Sequence, residues 1–340
     1  MKLADVPTPA VLIDETALAH NLAEMAAALP GPRLRPHIKA HKCTALARRQ
    51  AESGHESFTC ATIAECEGMA AVGLGADLLL ANEVLDTRRL GALVEDGARV
   101  TVAVDSAETI DAAIAGGVRE VLIDVNVGLP RCGTPPGAAG QLADQARRKG
   151  LQVRGVMGYE GHVVGLVDAA ERAAQCQESM ELLLAAHTDV GGELISAGGT
   201  GTYAINTWAN EIQAGSYALM DTAYNELGLP FRQALYVLAT VISTAEGWSV
   251  ANAGLKCFGM DHGAPSLDNT EALNNTEALD GTGVWFCSDE HTTFAPPKPV
   301  GDRVMLIPAH VDPTMAYHER AYLFRGEDVV DVWPIDLRGW

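Results

Sequence analysis

From residue 34 to about 217 the chain repeats one pattern: a short β-branched or apolar run, a loop, then a segment with apolar residues at helical spacing. The runs "LRPHIK", "SFTCA", "ADLLLA", "RVTVAV", "EVLIDVNV", "QVRGVMGY", "ELISAGG" and "EIQAGSYALM" read as eight strands. Most of the stretches between them, such as "AECEGMAAVG", "AETIDAAIAGG" and "AAERAAQCQESMELLLAAH", read as amphipathic helices. Strands that alternate with helices pair in parallel. Eight of them predict a closed (β/α)8 TIM-type barrel, with a doubly wound open sheet as the alternative. After residue 230 the pattern changes to short strands separated by turn residues: "ALYVLATVIST", "WSVANAG", "GVWFCSDEHTTF", "DRVMLIPAHV", "AYLFRG" and "VVDVWPI". This predicts a smaller β-rich C-terminal domain, and "TPAVLID" near the N-terminus reads as a strand that can join it. The expected division is a β/α barrel over residues 15–228 and a β-rich domain of residues 1–14 and 229–340. The segment "LDNTEALNNTEALDG" repeats NTEAL, but it is too short for a repeat architecture and reads as a polar surface loop.

With 340 residues and 48% apolar content, the chain can bury the core of one large domain and a smaller one. A formal charge of −20 argues against nucleic acid or an anionic membrane as a partner, since both repel such a field. The seven cysteines are odd in number and include no C-x-x-C pair, which disfavours a disulfide framework or zinc ribbon. Reduced thiols fit a cytoplasmic protein. The opening "MKLADVPTPAVLID" lacks the apolar run of a signal peptide, and no stretch approaches a membrane span. A soluble protein is expected.

In a β/α barrel, functional groups gather where strands end at their C-terminal side. The chemically distinctive residues fall there. Lys39 closes the first strand, Arg131 follows the fifth, Tyr159 and His162 follow the sixth, "GGTGTY" follows the seventh, and "GSY" lies in the eighth. In "SAGGTGTY" the glycines let backbone N–H groups converge on an anion, and threonine hydroxyls can add donors. Strand alternation puts Arg35, His37, Lys39 and His41 on one face, with Lys42 outside that set. A desolvated lysine near a phosphate loop and an arginine can condense with an aldehyde cofactor such as pyridoxal phosphate. Lys42 reads as a helix-start cation, and His37 and His41 as packing groups. In "PAHVDPT", His310 and Asp312 lie two apart on an expected strand and so point the same way, as a divalent-cation pair would. His291 is a possible neighbour, whereas His20, His55, His187 and His262 read as surface or core histidines.

Taken in order, "TPAVLID", "LRPHIKAHK", "DVNVGLPRCG", "GYEGH", "GGTGTY", "EIQAGSYALMD" and "GDRVMLIPAHVDPT" resemble the D-threonine aldolase and eukaryotic-type D-serine dehydratase family, over about residues 7 to 320. The resemblance implies an alanine-racemase-like barrel with pyridoxal 5′-phosphate and a divalent metal (Mn, Mg or Zn). It implies that Lys39 carries the cofactor, and that Gly199, Thr200, Gly201 and Thr202 hold its phosphate with Gly215, Ser216 and Tyr217 nearby. Arg131 would approach the cofactor's phenolic oxygen, Tyr159 would bound the cofactor or substrate, and His162 is a candidate base. His310 and Asp312 would bind the metal. In that family His-x-Asp leans to aldolases and His-x-Cys to dehydratases, so the implied reaction is cleavage of a D-3-hydroxy amino acid to glycine and an aldehyde. Dehydration of D-serine or 3-hydroxyaspartate is the alternative, and a non-catalytic pyridoxal-phosphate-binding protein is a third reading. Aldolases of the family tend to carry a further histidine where this chain has Gly165. A homodimer acting on small molecules is implied.

Overall fold

Strand β1 (Ala10–Asp14) is buried at four of its five positions, as a strand covered on both faces must be. It runs straight into helix α1 (Glu15–Ala28). The computed structural model describes residues 1–268 and 283–340, and the repeated NTEAL segment lies almost wholly outside them. The chain forms two units: Ala23–Gly215 with Leu337–Trp340, and Met1–Leu22 with Ser216–Asp336.

The first unit contains α2 (Thr44–Glu52), β2 (Phe58–Cys60), α3 (Ile63–Ala71), β3 (Leu78–Leu80), α4 (Arg88–Glu95), β4 (Val100–Val104) and α5 (Ala107–Ala115). It continues through β5 (Glu120–Asp124), α6 (Ala139–Arg148), β6 (Gln152–Gly158), α7 (Ala169–Val190), β7 (Leu194–Ala197) and β8 (Glu211–Ile212). Side chains of Thr62, Ser106 and Asp168 accept hydrogen bonds from first-turn amides and start α3, α5 and α7. The strands form one seven-stranded sheet, parallel throughout, in the order β2 to β8. A doubly wound sheet would reverse its strand order, and this sheet does not.

The expected first strand, "LRPHIK", is not a regular strand. Leu34 makes a single bridge to Ile212 on β8 and His37 a single bridge to Thr59 on β2, so the segment touches both edges of the sheet. Pro36 between them has no N–H to donate to a ladder. Ile38–Ala40 then coil into one 3-10 turn. The closed eight-stranded barrel is therefore corrected to a curled seven-stranded parallel sheet plus a bridging segment. "EIQAGSYALM" also shortens: only Glu211 and Ile212 pair, and Ser216–Ala218 form a 3-10 turn.

At the strand starts, the buried Arg35 and Arg154 grip Asp77 from two sides. Arg35 Nη2 and Arg154 Nη2 each lie 3.1 Å from Asp77 Oδ2, and Arg35 Nε lies 2.8 Å from Glu211. Burial alone would raise the Asp77 carboxyl, but the two guanidiniums outweigh it and hold it at about 2.

The second unit adds α8 (Thr222–Asn225), β9 (Leu235–Ala245), β10 (Trp248–Ala251), β11 (Ser266–Leu267), β12 (Gly283–Cys287) and β13 (Thr292–Ala295). After these come β14 (Arg303–Ile307), α9 (Val311–Tyr317), β15 (Arg320–Arg325) and β16 (Asp328–Pro334). Their sheet runs β12-β13-β10-β9-β1-β15-β16, with β14 on β9 and β11 on β14. Strand β1 lies inside it, antiparallel to β9 and parallel to β15, with Leu12 opposite both Tyr236 and Tyr322. Val6, Ala10, Leu12, Tyr236, Leu238, Tyr322 and Phe324 form the core on one face of it. Among the described residues, no helix is long and apolar enough to cross a membrane.

Candidate functional site

Within the first unit, Tyr159 follows the end of β6, the glycine loop that of β7 and Gly215 that of β8, while Arg131 lies in the loop after β5. Lys39 is not the inward-facing end of a strand. It sits in the 3-10 turn, partly buried, so the alternation that grouped it with Arg35 breaks at Ile38. Arg35 belongs instead to the network at the strand starts. Lys42 is neither solvated nor a plain helix-start cation. It takes φ +50° and pairs with the buried Glu65 carboxylate, which also accepts the amides of Ala61 (2.6 Å) and Thr62 (3.3 Å). His41 is buried, with Nε2 3.3 Å from Gln50 Oε1, in the packing role expected of it.

Arg131 and Tyr159 come together: the guanidinium lies over the phenol ring, 5.3 Å from its centroid. A Cβ on Gly199 would lie 3.6 Å from Tyr159 Cε2, which places the glycine loop beside the same ring. His162 is exposed, and its ring fills the space a side chain at Gly128 would need. Gly215 packs on the turn that carries Lys39, with its Cβ position 2.4 Å from His37 O and 3.0 Å from Ala40 Cβ.

The glycine loop differs from expectation in one respect. The Thr202 hydroxyl, expected on phosphate, is donated to Glu160 Oε1 at 2.8 Å and accepts Gly199 N–H at 3.2 Å. The loop also offers backbone. Gly201 is buried, its N–H has no hydrogen-bond partner among the described residues, and a Cβ there would lie 1.8 Å from Val164 O. A buried orphan donor in a loop that only glycine can build is what an anion's oxygen would satisfy. With the Lys39 amine and the Arg131–Tyr159 pair, these residues fit pyridoxal 5′-phosphate.

Sequence reading also missed a carboxyl cluster beside Arg131. Asp124, at the end of β5, is pushed well above the usual carboxylate range by burial and then by the neighbouring Glu83. Hydrogen bonding to Glu83, with burial, pushes the Cys132 thiol up to about 12.

In the second unit, His310 and Asp312 do not share a strand. Strand β14 ends at Ile307, before Pro308, and Pro313 is tolerated in the first turn of α9. His310 is the cap residue before that helix and Asp312 lies in its first turn, yet the pair still meets: His310 Nε2 is 3.6 Å from Asp312 Oδ2. His310 Nδ1 is 2.7 Å from Asp261 Oδ2, and an Nδ1–H donated there leaves the Nε2 lone pair facing Asp312. Burial pushes the Asp261 carboxyl up, but the His310 bond outweighs it and the group lies below its ordinary range. Metal–donor bonds of about 2.1 Å at a tetrahedral angle put two donor atoms roughly 3.4 Å apart, so the His310–Asp312 spacing suits one divalent ion.

His262, read as a surface or core histidine, stacks on His310 with centroids 4.0 Å apart and planes 11° apart. Asp261, His262 and His310 bring donor atoms within 4.8 Å of one another, and His291 is not part of that group. The adjacent acid and imidazole in "GMDHG" were the available signal. Thr314 anchors the arrangement: its hydroxyl donates to His310 O (2.7 Å) and accepts Gly259 N–H (3.0 Å). Asp221, also unexpected, is fully buried and accepts Tyr224 N–H and Val311 N–H, each at 2.9 Å. Burial raises it to about 6 against those bonds. Ser216 and Tyr217 are buried in this unit, where Asn21 Nδ2 holds Ala218 O at 3.1 Å.

Residues 13–223 match the family described as "Alanine racemase, N-terminal domain", and residues 234–324 match "Putative serine dehydratase domain". The chain belongs to the alanine racemase N-terminal domain family. It is 33% identical to D-threonine aldolase of an Arthrobacter species, over 99% of this chain and 94% of that protein. It is 30% identical to 3-hydroxy-D-aspartate aldolase of Paracoccus denitrificans, over 100% of this chain and 94% of that protein. The crystal structure of D-threonine aldolase from Filomicrobium marinum superimposes with a TM-score of 0.90 at 32% identity, covering 99% of this chain and 97% of that one.

Proposed function

We propose that this protein is a metal-dependent, pyridoxal-phosphate-dependent lyase that cleaves a D-3-hydroxy amino acid into glycine and an aldehyde. The observation that carries the reading is His310 Nε2 facing Asp312 Oδ2 at 3.6 Å, a metal pair of the His-x-Asp kind, in a chain whose other unit offers a lysine amine and a glycine-built anion loop. The full-length similarity to two aldolases supports it.

Lys39 would hold the cofactor's aldehyde carbon. The Gly199–Thr202 loop, with Gly201 N–H foremost, would hold its phosphate, and Gly215, Ser216 and Tyr217 are the further candidates. Arg131 and Tyr159 would bound its ring. Pyridoxal phosphate bound there supplies the electron sink that retro-aldol cleavage needs. His310 Nε2 and Asp312 would hold a divalent Mn, Mg or Zn ion, which supplies Lewis acidity toward the substrate 3-hydroxyl. Asp261 orients His310 for that task by taking the Nδ1–H. His162, exposed and braced against Gly128, is the candidate acceptor of the 3-hydroxyl proton.

The match of residues 234–324 to a dehydratase domain favours a second reading, in which the 3-hydroxyl leaves as water. D-threonine separates the two. Incubated with the loaded enzyme and divalent metal, it should yield glycine and acetaldehyde, and EDTA should abolish turnover. Accumulation of 2-oxobutyrate would establish the dehydratase instead, and no turnover of D-threonine, D-serine or 3-hydroxyaspartate would sink both. Two supporting observations bear on the protein's setting. The cysteines are all unpaired, in keeping with a reducing cytoplasm. The exposed Trp248–Trp285 pair and Phe286 suit self-association into a homodimer.

A further inference from the structure

Glu160 lies between Tyr159 and His162 in "GYEGH" and is completely buried. An ionised carboxylate in a protein interior is costly unless donors surround it. Glu160 has them, all neutral. Oε2 accepts Gly198 N–H at 3.1 Å, and Oε1 accepts the Thr202 hydroxyl at 2.8 Å and Asn206 Nδ2 at 3.3 Å, with the Cys176 thiol 3.9 Å away. Three of these partners lie in or just after the glycine loop, and Thr202 passes the connection on by accepting Gly199 N–H. The backbone of the same turn also presses on the loop, since Val164 N–H bonds Glu160 O and Val164 O occupies the space beside Gly201.

We propose that Glu160 is a positioning residue for the anion loop: it takes up the donors of Gly198 and Thr202, so that the loop's remaining amides, Gly201 N–H above all, converge on phosphate. The inference rests on the reading of this loop as a phosphate cradle. A carboxylate is required because both of its oxygens accept. Glutamine would turn an NH2 toward either Gly198 N–H or Asn206 Nδ2 and set donor against donor. The residue acts through the loop and does not itself touch the cofactor.

The test compares pyridoxal 5′-phosphate with pyridoxal, which lacks the phosphate, by absorbance titration of the full-length, cofactor-free protein. The wild type should bind the phosphorylated form much the more tightly. Glu160→Gln should weaken pyridoxal 5′-phosphate about tenfold or more while changing pyridoxal less than twofold; tenfold corresponds to about 1.4 kcal/mol. Thr202→Val, which deletes the hydroxyl in the relay but keeps the side chain's shape, should reproduce that selective loss and carries the test if Glu160→Gln does not fold. Equal losses for both ligands would reduce Glu160 to a general structural role and overturn the proposal, as would no loss for either. A wild type that fails to prefer the phosphorylated form would remove the phosphate-cradle reading itself, and this inference with it.

Discussion

At the scale of single residues, two lysines three positions apart have opposite fates. The Lys42 ammonium is engaged by Glu65, whose buried carboxylate also binds the amides that begin α3, so removing Lys42 would strand a charge. Lys39 sits in the 3-10 turn beyond the bridging segment. Borohydride reduction of the cofactor-loaded protein should therefore fix the cofactor on Lys39. Fragment masses that place it on Lys42 would overturn the assignment. Gly165 offers a second residue-scale prediction. No atom lies within 4 Å of its Cβ position and its φ is not in the left-handed region, so Gly165→His should keep the wild-type Tm or raise it slightly, by the ~0.4–1 kcal/mol typical of a compatible glycine replacement. A Tm fall of several degrees would show that the backbone there does need glycine. Lys39, Arg131, Tyr159 and the glycine loop could be proposed from sequence because their chemistry is local. Glu160, Asp221 and Asp261 were not, because a lone acid in sequence reads as a solvated surface group until packing buries it or places a partner beside it.

At the scale of elements, hydrophobic periodicity located β2 to β7 and the helices α3, α5 and α7, since both faces of a parallel strand are covered and its run is largely apolar. It failed at two prolines. Pro36 and Pro308 each sit where an apolar run invites a strand, and each withholds an N–H that a ladder needs. The consequence reaches the candidate site: Lys39 ends in a tight turn, and His310 becomes the residue that starts a helix. Gly155, inside β6, marks another irregularity. Its φ is +148°, and a Cβ there would lie 2.0 Å from Leu194 O on β7, opposite a register shift in β5. Gly155→Ala should wedge β6 from β7 and lower Tm sharply, by the several degrees that about 2 kcal/mol costs. An unchanged Tm would show that the bulge relaxes.

At the scale of the whole molecule, the charge network at the strand starts couples stability to pH at the acid end. Asp77 is held at about 2 against an ordinary 3.8, so its contribution is complete above about pH 4 and drains away as pH falls toward 2. The shift is worth on the order of 1–2 kcal/mol after allowance for partial solvent screening. Asp77→Asn should therefore flatten the fall of Tm between pH 4 and pH 2 relative to wild type; parallel curves would mean that other carboxyls control it. Arg154→Ala, which leaves Asp77 and Glu193 short of a partner, should cost about 3–5 kcal/mol at neutral pH, checked by urea denaturation.

By itself the sequence determined the alternation of strands and helices, the change to a β-rich C-terminal part, a strand near the N-terminus, and the residue types that can hold an aldehyde, a phosphate and a cation. Periodicity and side-chain chemistry are properties of neighbouring positions, and a sequence states them directly. Only the tertiary structure decided which acid supports which donor: Asp261 on His310 across 49 positions, Asp77 between Arg35 and Arg154, and Glu160 behind Gly198 and Thr202. Those pairings join residues that no local pattern relates, and their strength comes from burial, which exists only once the chain has folded around them.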